Sequence, residues 1–242
     1  MLDDKIIAMK KLKILVFEYI TGGGLSKFEL PASLASEGKL MLQALINNLT
    51  RLETIEPLIM LDYRMVDKIS HQRGNFKSIQ ADQFYFHEFL QLMTTCDAVW
   101  PIAPESDSIL AILSEGVQRS GKLLLNSSVD AVSVAGNKWL TYECLTQHSI
   151  ATVETHKLAD FNFSSDEWII KPVDGVGGID SVIVKNQQDL EKKLALIDEQ
   201  KFIIQPHIQG EKISLSCLFY HCRGWLICAN LQLFELIDQH YL

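Results

Sequence analysis

The 242-residue sequence has no apolar run approaching the ~18 residues needed to span a bilayer. Met1–Lys13 mixes charged and apolar side chains and lacks the long uninterrupted apolar stretch of a secretory leader. There is no basic surplus either: 22 Lys and Arg stand against 30 Asp and Glu, a net charge of −8. That balance argues against a large nucleic-acid-binding face, which needs clustered cations, but not against a local phosphate site built from a few lysines and backbone amides. The five cysteines (Cys96, Cys144, Cys217, Cys222, Cys228) are odd in number, form no Cys-x-x-Cys, and lack the spacing of a structural zinc site. Three of them fall in apolar, strand-like text and read as buried free thiols of a reducing cytoplasm. With 48% apolar and 21% charged residues, the usage is that of a globular chain, so disordered, collagen-like and coiled-coil architectures are excluded.

Three stretches follow one another. To about Asn126 the text alternates strand and helix. Lys13–Glu18 is a β-branched apolar run closed by the turn Thr21-Gly22-Gly23-Gly24. Leu42, Leu45, Ile46 and Leu49 share one face of a helix. Pro57–Leu61 and Asp97–Ile102 are further strands, and Ser106 or Ser108 is positioned to cap a helix carrying Ile109, Ile112, Leu113 and Val117. Lys122–Leu125 is the fourth strand of the set. Such alternation predicts an open, mostly parallel α/β sheet. In the second stretch, residues 127–203, Asn137–His148 reads as helix and Ala151–Thr155 as extended. Trp168–Lys171 and Val182–Val184 are strands joined by a glycine-rich loop, followed by a helix with Leu190, Leu194 and Ile197 on one side. The third stretch, residues 204–242, is hairpin text, with Arg223-Gly224 as the turn between two apolar runs.

The segment from Trp168 to Asp180 carries the most chemistry. A strand delivers Lys171 beside Gly175, Val176, Gly177 and Gly178, and a second strand begins directly after them. Glycines allow backbone N–H groups to approach an anion closely, and a lysine at the base of the loop adds a point charge suited to phosphate oxygens. The same residues could simply be a hairpin, with glycines serving the turn and Lys171 solvated, but three glycines in four positions exceed what a two-residue turn requires. The glycines run into a strand rather than a helix, and no Gly-Lys-Ser/Thr occurs, which excludes the P-loop and the dinucleotide fingerprint here. A dinucleotide site on Gly22–Gly24 is disfavoured because Phe28-Glu29-Leu30-Pro31 intervenes where a helix should start. A glycine loop between two strands over phosphates is the arrangement of protein kinases and of ATP-grasp enzymes, and no His-Arg-Asp or Asp-Phe-Gly is present.

Other segments resemble the ATP-grasp superfamily. Gly136-Asn137-Lys138, Thr141 and His148-Ser149-Ile150-Ala151-Thr152 are similar to its K-x-x-T…G-I-P-T-P segment. Lys171 is similar to its second lysine. Ile204-Gln205-Pro206-His207-Ile208-Gln209-Gly210-Glu211 resembles the hinge, with Ser214 following. The resemblance implies a pre-ATP-grasp domain over residues 1–126, a first ATP-grasp subdomain over 127–203 and the start of a second over 204–242. It implies that Lys138, Lys171 and the loop residues Gly175–Gly178 hold the phosphates of ATP as catalytic and binding groups. Gln205, Pro206, His207 and Ile208 would then hold adenine, and Glu211, or Lys212 under a one-residue shift, would meet the ribose. Family members also carry Mg²⁺ on a late carboxylate and a Glu-x-Asn pair, hard oxygen ligands; after Gln205 this sequence offers Glu211, Glu235 and Asp238 but no Glu-x-Asn. We therefore expect the chain to break off within the third subdomain and to catalyse poorly as it stands.

A narrower resemblance lies in the first half. Val16-Phe17-Glu18-Tyr19-Ile20-Thr21-Gly22-Gly23-Gly24 and Asp97-Ala98-Val99-Trp100-Pro101-Ile102-Ala103-Pro104-Glu105-Ser106 resemble a small ATP-grasp subfamily that includes the tyramine–glutamate ligases of methanofuran biosynthesis. This implies an ATP-dependent, cytoplasmic ligase for a small carboxylate and a small amine, with no nucleic-acid or membrane partner and with a homo-oligomer left open. Glu18 and Glu105 would lie at strand ends facing the substrate crevice, although simple loop exposure explains them equally well. Tyr19 and Trp100 read as core. The competing class is a nucleotide-binding scaffold or sensor without catalysis, supported by the missing Glu-x-Asn.

Overall fold

The structure is a computed structural model that describes residues 10–70, 74–163, 167–175, 178–233, 236–237 and 240–241. The chain divides into two compact units, Met1–Ser133 and Val134–Leu242.

In the first unit, β1 (Leu12–Glu18), α1 (Ala32–Leu49), β2 (Ile55–Asp62), β3 (Asn75–Ile79), α2 (Tyr85–Thr94), β4 (Ala98–Ile102), α3 (Ile109–Arg119) and β5 (Leu123–Leu124) alternate as the hydrophobic pattern predicts. The sheet order is β3-β2-β1-β4-β5 and every pairing is parallel. Both faces are covered, which is why β1 is a continuous apolar run rather than an alternating one. Leu15 and Phe17 pack with Phe89, Met93, Leu113 and Val117 from α2 and α3. Ile14 and Val16 pack on the other face with Leu42, Ile46 and Leu49 of α1.

Three details differ from the sequence reading. β3 and α2 stand between the second and third predicted strands; β3 (Asn-Phe-Lys-Ser-Ile) is a half-exposed edge strand with little apolar text to reveal it. Neither Ser106 nor Ser108 caps α3, because Asp107 and Ser108 both have left-handed backbone (φ 55° and 57°), not the extended geometry of a capping residue. The glycine turn after β1 winds as a single wide turn, Ile20–Gly24, in which Gly23 has φ 102° and its α-carbon faces Ile79 closely enough that a β-carbon would sit 2.8 Å from that side chain.

In the second unit, α4 (Val129–Ala135), which crosses the chain boundary between the units, is followed by α5 (Lys138–Gln147), β6 (His156–Lys157), β7 (Trp168–Pro172), β8 (Val182–Val184), α6 (Gln187–Leu194) and β9 (Phe202–Pro206). The short strands β12 (Leu236–Ile237) and β13 (His240–Tyr241) complete a sheet of order β12-β13-β8-β7-β9-β6. Its pairings are antiparallel, and Trp168, Ile170, Val182, Val184 and Ile204 close its core with Leu190 from α6.

β10 (Ile213–Tyr220) and β11 (Arg223–Leu231) form a separate two-stranded sheet. The turn is His221-Cys222 rather than Arg223-Gly224: both residues have positive φ (46° and 59°), the two-residue geometry whose twist matches the flanking strands. Gly224 instead pairs with Phe219 inside the ladder, where that ring lies against it. The hairpin side chains are exposed, and this corrects the reading of buried thiols. Cys96 is buried, whereas Cys217, Cys222 and Cys228 are exposed. Apolar strand text speaks for burial only when a second layer packs on it. Among the described residues no helix is long and apolar enough to cross a membrane.

Candidate functional site

The site is assembled from three backbone segments of the second unit. Asn137 caps α5, its side chain accepting from Leu140 N at 3.0 Å. The next residue, Lys138, donates its own N–H to Val173 O at 2.8 Å, so the first turn of the helix docks onto the corner where β7 leaves the sheet. That docking carries the Lys138 ammonium to the glycine loop, where Nζ donates to Asp174 O at 2.9 Å and Gly175 O at 3.0 Å. Gly175 (φ 82°) and Gly178 (φ 75°) both have the left-handed backbone that favours glycine. Val176 and Gly177, the other loop residues expected to hold phosphate, lie outside the described residues.

Lys171 comes from β7, whose central residues are buried between β8 and β9. Its Nζ donates to Gln205 Oε1 on β9 at 3.0 Å. Gln205 Nε2 in turn donates to Thr155 Oγ1 at 2.9 Å, and the Thr155 hydroxyl donates to Val153 O at 3.0 Å. Burial holds Lys171 below its ordinary basicity. Burial does the same to Lys138, reinforced by the neighbouring Lys171 charge and partly opposed by Asp174.

These groups surround a cavity of about 350 Å³ lined by Lys138, Lys171, Asp174, Gly175, Gly178, Gln205, Pro206, His207, Ile208 and Lys212, with Val153, Ile169 and Ile179 as apolar wall. His207 is fixed from outside: its backbone N–H donates to Glu167 O at 2.9 Å and its Nδ1 lies 3.2 Å from Glu167 Oε2. Lys185, then His207, holds the Glu167 carboxyl below the usual range.

The structure thus brings Lys138, Lys171, Gly175, Gly178, Gln205, Pro206, His207 and Ile208 to one cavity. Of the adjacent pair Glu211 and Lys212, it is Lys212 that lines it. The residue expected there was Glu211, which is not among those lining the cavity. Thr155 had no signal in the sequence, because its place opposite Gln205 depends on the pairing of β6 with β9, His156 against Ile204. Glu18 and Glu105 belong to the first unit. Glu18 is 2% exposed, and its carboxylate accepts from Ile20 N (3.1 Å), Thr21 N (2.7 Å) and Thr21 Oγ1 (2.6 Å), so its hydrogen bonds hold the wide turn after β1. Glu105 is half-buried and immediately precedes the short helical turn Ser106–Ser108.

A cationic cavity beneath a glycine turn, entered from a helix N-terminus and a strand, suits the phosphates of a nucleotide. Comparison with known proteins agrees on the family. Residues 55–132 match the pre ATP-grasp 3 domain and residues 135–241 match the ATP-grasp domain. The chain belongs to the ATP-grasp superfamily.

Among curated proteins it is similar to the tyramine–L-glutamate ligase of Methanocaldococcus fervens, with 28% identity over 85% of this chain and 62% of that one. Among solved structures it resembles one assigned to the ATP-grasp superfamily from Archaeoglobus fulgidus (TM-score 0.69, 20% identity, 96% of this chain and 64% of that one). It also resembles the N5-carboxyaminoimidazole synthetase of Staphylococcus aureus complexed with ADP (TM-score 0.59, 14% identity, 96% and 57%). These structural likenesses bear on the fold. The chain spans less than two thirds of the length of each of these three proteins.

Proposed function

We propose that the cavity binds ATP and that the protein is an ATP-dependent ligase joining a small carboxylate to a small amine, on the pattern of the tyramine–L-glutamate ligase it is similar to. The observation that carries the reading is the convergence of Lys138 and Lys171, from a helix and from a strand, on one cavity at the glycine loop. In this reading Lys138 and Lys171 hold the phosphates, with the backbone amides of Gly175 and Gly178 beside them. Gln205, Pro206, His207 and Ile208 form the adenine edge, and Val153, Ile169 and Ile179 give the base an apolar wall.

The chemistry needs little from the protein beyond placement and charge. The substrate carboxylate attacks the γ-phosphate, its P–O bond forming as the bond to ADP breaks. The amine then attacks the acyl phosphate, expels inorganic phosphate and loses a proton to leave the amide. Two ammonium groups offset the charge that builds on the transferring phosphoryl group. Among the described residues no group of three His, Cys, Asp or Glu side chains could hold a metal ion. No step here is routed through a metal.

The test is calorimetric titration of the chain with ATP, followed by Lys171→Met. Loss of one charge-assisted phosphate contact, worth about 1.5–3 kcal/mol, predicts roughly 10- to 150-fold weaker binding. Unchanged affinity overturns the assignment of Lys171. Release of ADP dependent on both tyramine and glutamate supports ligation. Tight ATP binding without any release favours the second reading, a nucleotide-binding scaffold.

A further inference from the structure

Gln205 stands where an acid would form an ion pair with Lys171, and the side chains around it account for an amide. The ammonium of Lys171 is a donor only, so it must face the amide oxygen, and it does so at 3.0 Å. The amide nitrogen must then find an acceptor. It finds Thr155 Oγ1 at 2.9 Å, on a side chain that is 3% exposed. The one hydroxyl proton of Thr155 is committed to Val153 O at 3.0 Å, so toward position 205 its oxygen can only accept. A carboxylate at 205 could take a proton from Thr155 only by turning the hydroxyl away from Val153 O, and it would neutralise the lysine.

We propose that Thr155 is a positioning residue that selects an amide at position 205 and, through it, aims the Lys171 ammonium into the cavity with its charge undiminished. Each link is a short contact between named atoms, and the order Val153, Thr155, Gln205, Lys171 joins the Val153 backbone carbonyl to the Lys171 ammonium at the cavity. The consequence for nucleotide rests on the function proposed above; the consequence for Lys171 itself does not.

The experiment therefore uses two readouts on the intact chain. The first is the pH dependence of Lys171 acylation by acetic anhydride without nucleotide, followed by mass spectrometry. Lys138, Asp174, His207 and Lys212 line the same cavity and are unaltered in every variant, so their fields are common to all. The second is the ATP dissociation constant. Thr155→Val frees the amide from its anchor and weakens its bond to the ammonium. Lys171 should then titrate at lower pH than in the parent, and ATP binding should weaken about 2- to 10-fold, the value of one net hydrogen bond. Gln205→Glu places a negative partner on the lysine and should move its titration the opposite way, to higher pH. Thr155→Ser keeps the hydroxyl and should follow the parent in both readouts.

A Thr155→Val protein whose Lys171 titrates as in the parent overturns the proposal, as does a Thr155→Ser protein that behaves like Thr155→Val. If Thr155→Val does not fold, Thr155→Ala, which also removes the hydroxyl, carries the same expectation, and an unshifted Lys171 there is equally fatal. Absence of ATP binding by the parent would sink the nucleotide reading, while the acylation profiles would still decide the role of Thr155.

Discussion

Gly38→Ala sets a local preference against a packing constraint, and the structure decides which wins. Gly38 lies inside α1, where alanine is favoured over glycine by about 0.5–1 kcal/mol. On that basis alone the change stabilises. But Gly38 is buried, and the three atoms nearest to a β-carbon built there all belong to the carboxylate of Glu18. That carboxylate is 2% exposed and accepts three hydrogen bonds from Ile20 and Thr21. To admit a methyl group it must shift off at least one or two of them. Hydrogen bonds to a charged group are worth about 1.5–3 kcal/mol each, so the loss outweighs the helix gain. We expect a net destabilisation of about 2 kcal/mol, and a melting temperature lower by roughly 5–8 °C for a unit of this size.

Urea denaturation of Gly38→Ala, Glu18→Ala and the double variant measures it. Once the carboxylate is gone the methyl group has room, so the double variant should be more stable than the sum of the single effects predicts, by about 2 kcal/mol. A Gly38→Ala protein as stable as the parent or more so, or effects that add within about 0.5 kcal/mol, would refute the reasoning.

Arg64 supplies a second prediction. Its guanidinium grips Asp62 through Nε (2.8 Å) and an NH2 nitrogen (2.7 Å) and also donates to the carbonyls of Leu25 and Phe28, at 2.8 Å each. Asp62 has no exposed side-chain surface, so Arg64→Met strands a buried carboxylate and should cost about 3 kcal/mol in urea denaturation. Arg64→Lys should recover less than half of that, because an ammonium cannot span four acceptors in a plane, and a loss under about 1 kcal/mol for Arg64→Met contradicts the clamp. The third prediction concerns pH. Lys138 and Lys171 titrate below the ordinary lysine value in the fold, and phosphate prefers their charged forms. ATP affinity should therefore be flat near neutrality and fall as pH rises through that depressed range, before exposed lysines at about 10.4 respond. The sign for stability is opposite. Between the folded and unfolded lysine titrations the unfolded chain holds more protons, so the stability of the nucleotide-free chain should rise with pH across that window. Calorimetry and thermal melts from pH 7 to 10 check both, and affinity that increases with pH overturns the assignment.

Much of the architecture was legible because it rests on periodicity. The apolar run Lys13–Glu18, the i, i+3, i+4 face of Leu42, Leu45, Ile46 and Leu49, and the strand–glycine–strand text around Lys171 each survive as elements, since burial on two faces or on one stripe writes itself into spacing. β3 was not legible, because a half-exposed edge strand needs no apolar pattern. Nor was the hairpin turn, because positive φ at His221 and Cys222 is allowed by the chain but not announced by it.

What the amino-acid sequence determined by itself was the set of lysines, glycines and polar residues and the order in which the chain presents them. Only the tertiary structure decided how those residues are used. Antiparallel pairing of β6, β7 and β9 sets Thr155, Gln205 and Lys171 in one hydrogen-bonded line, although Thr155 and Gln205 are 50 positions apart in the chain. Burial under α1 turned Glu18 inward to hold a turn. The physical reason is common to both: residue type states what a side chain can donate or accept, but the partner is chosen by strand register and by the space that neighbouring elements leave.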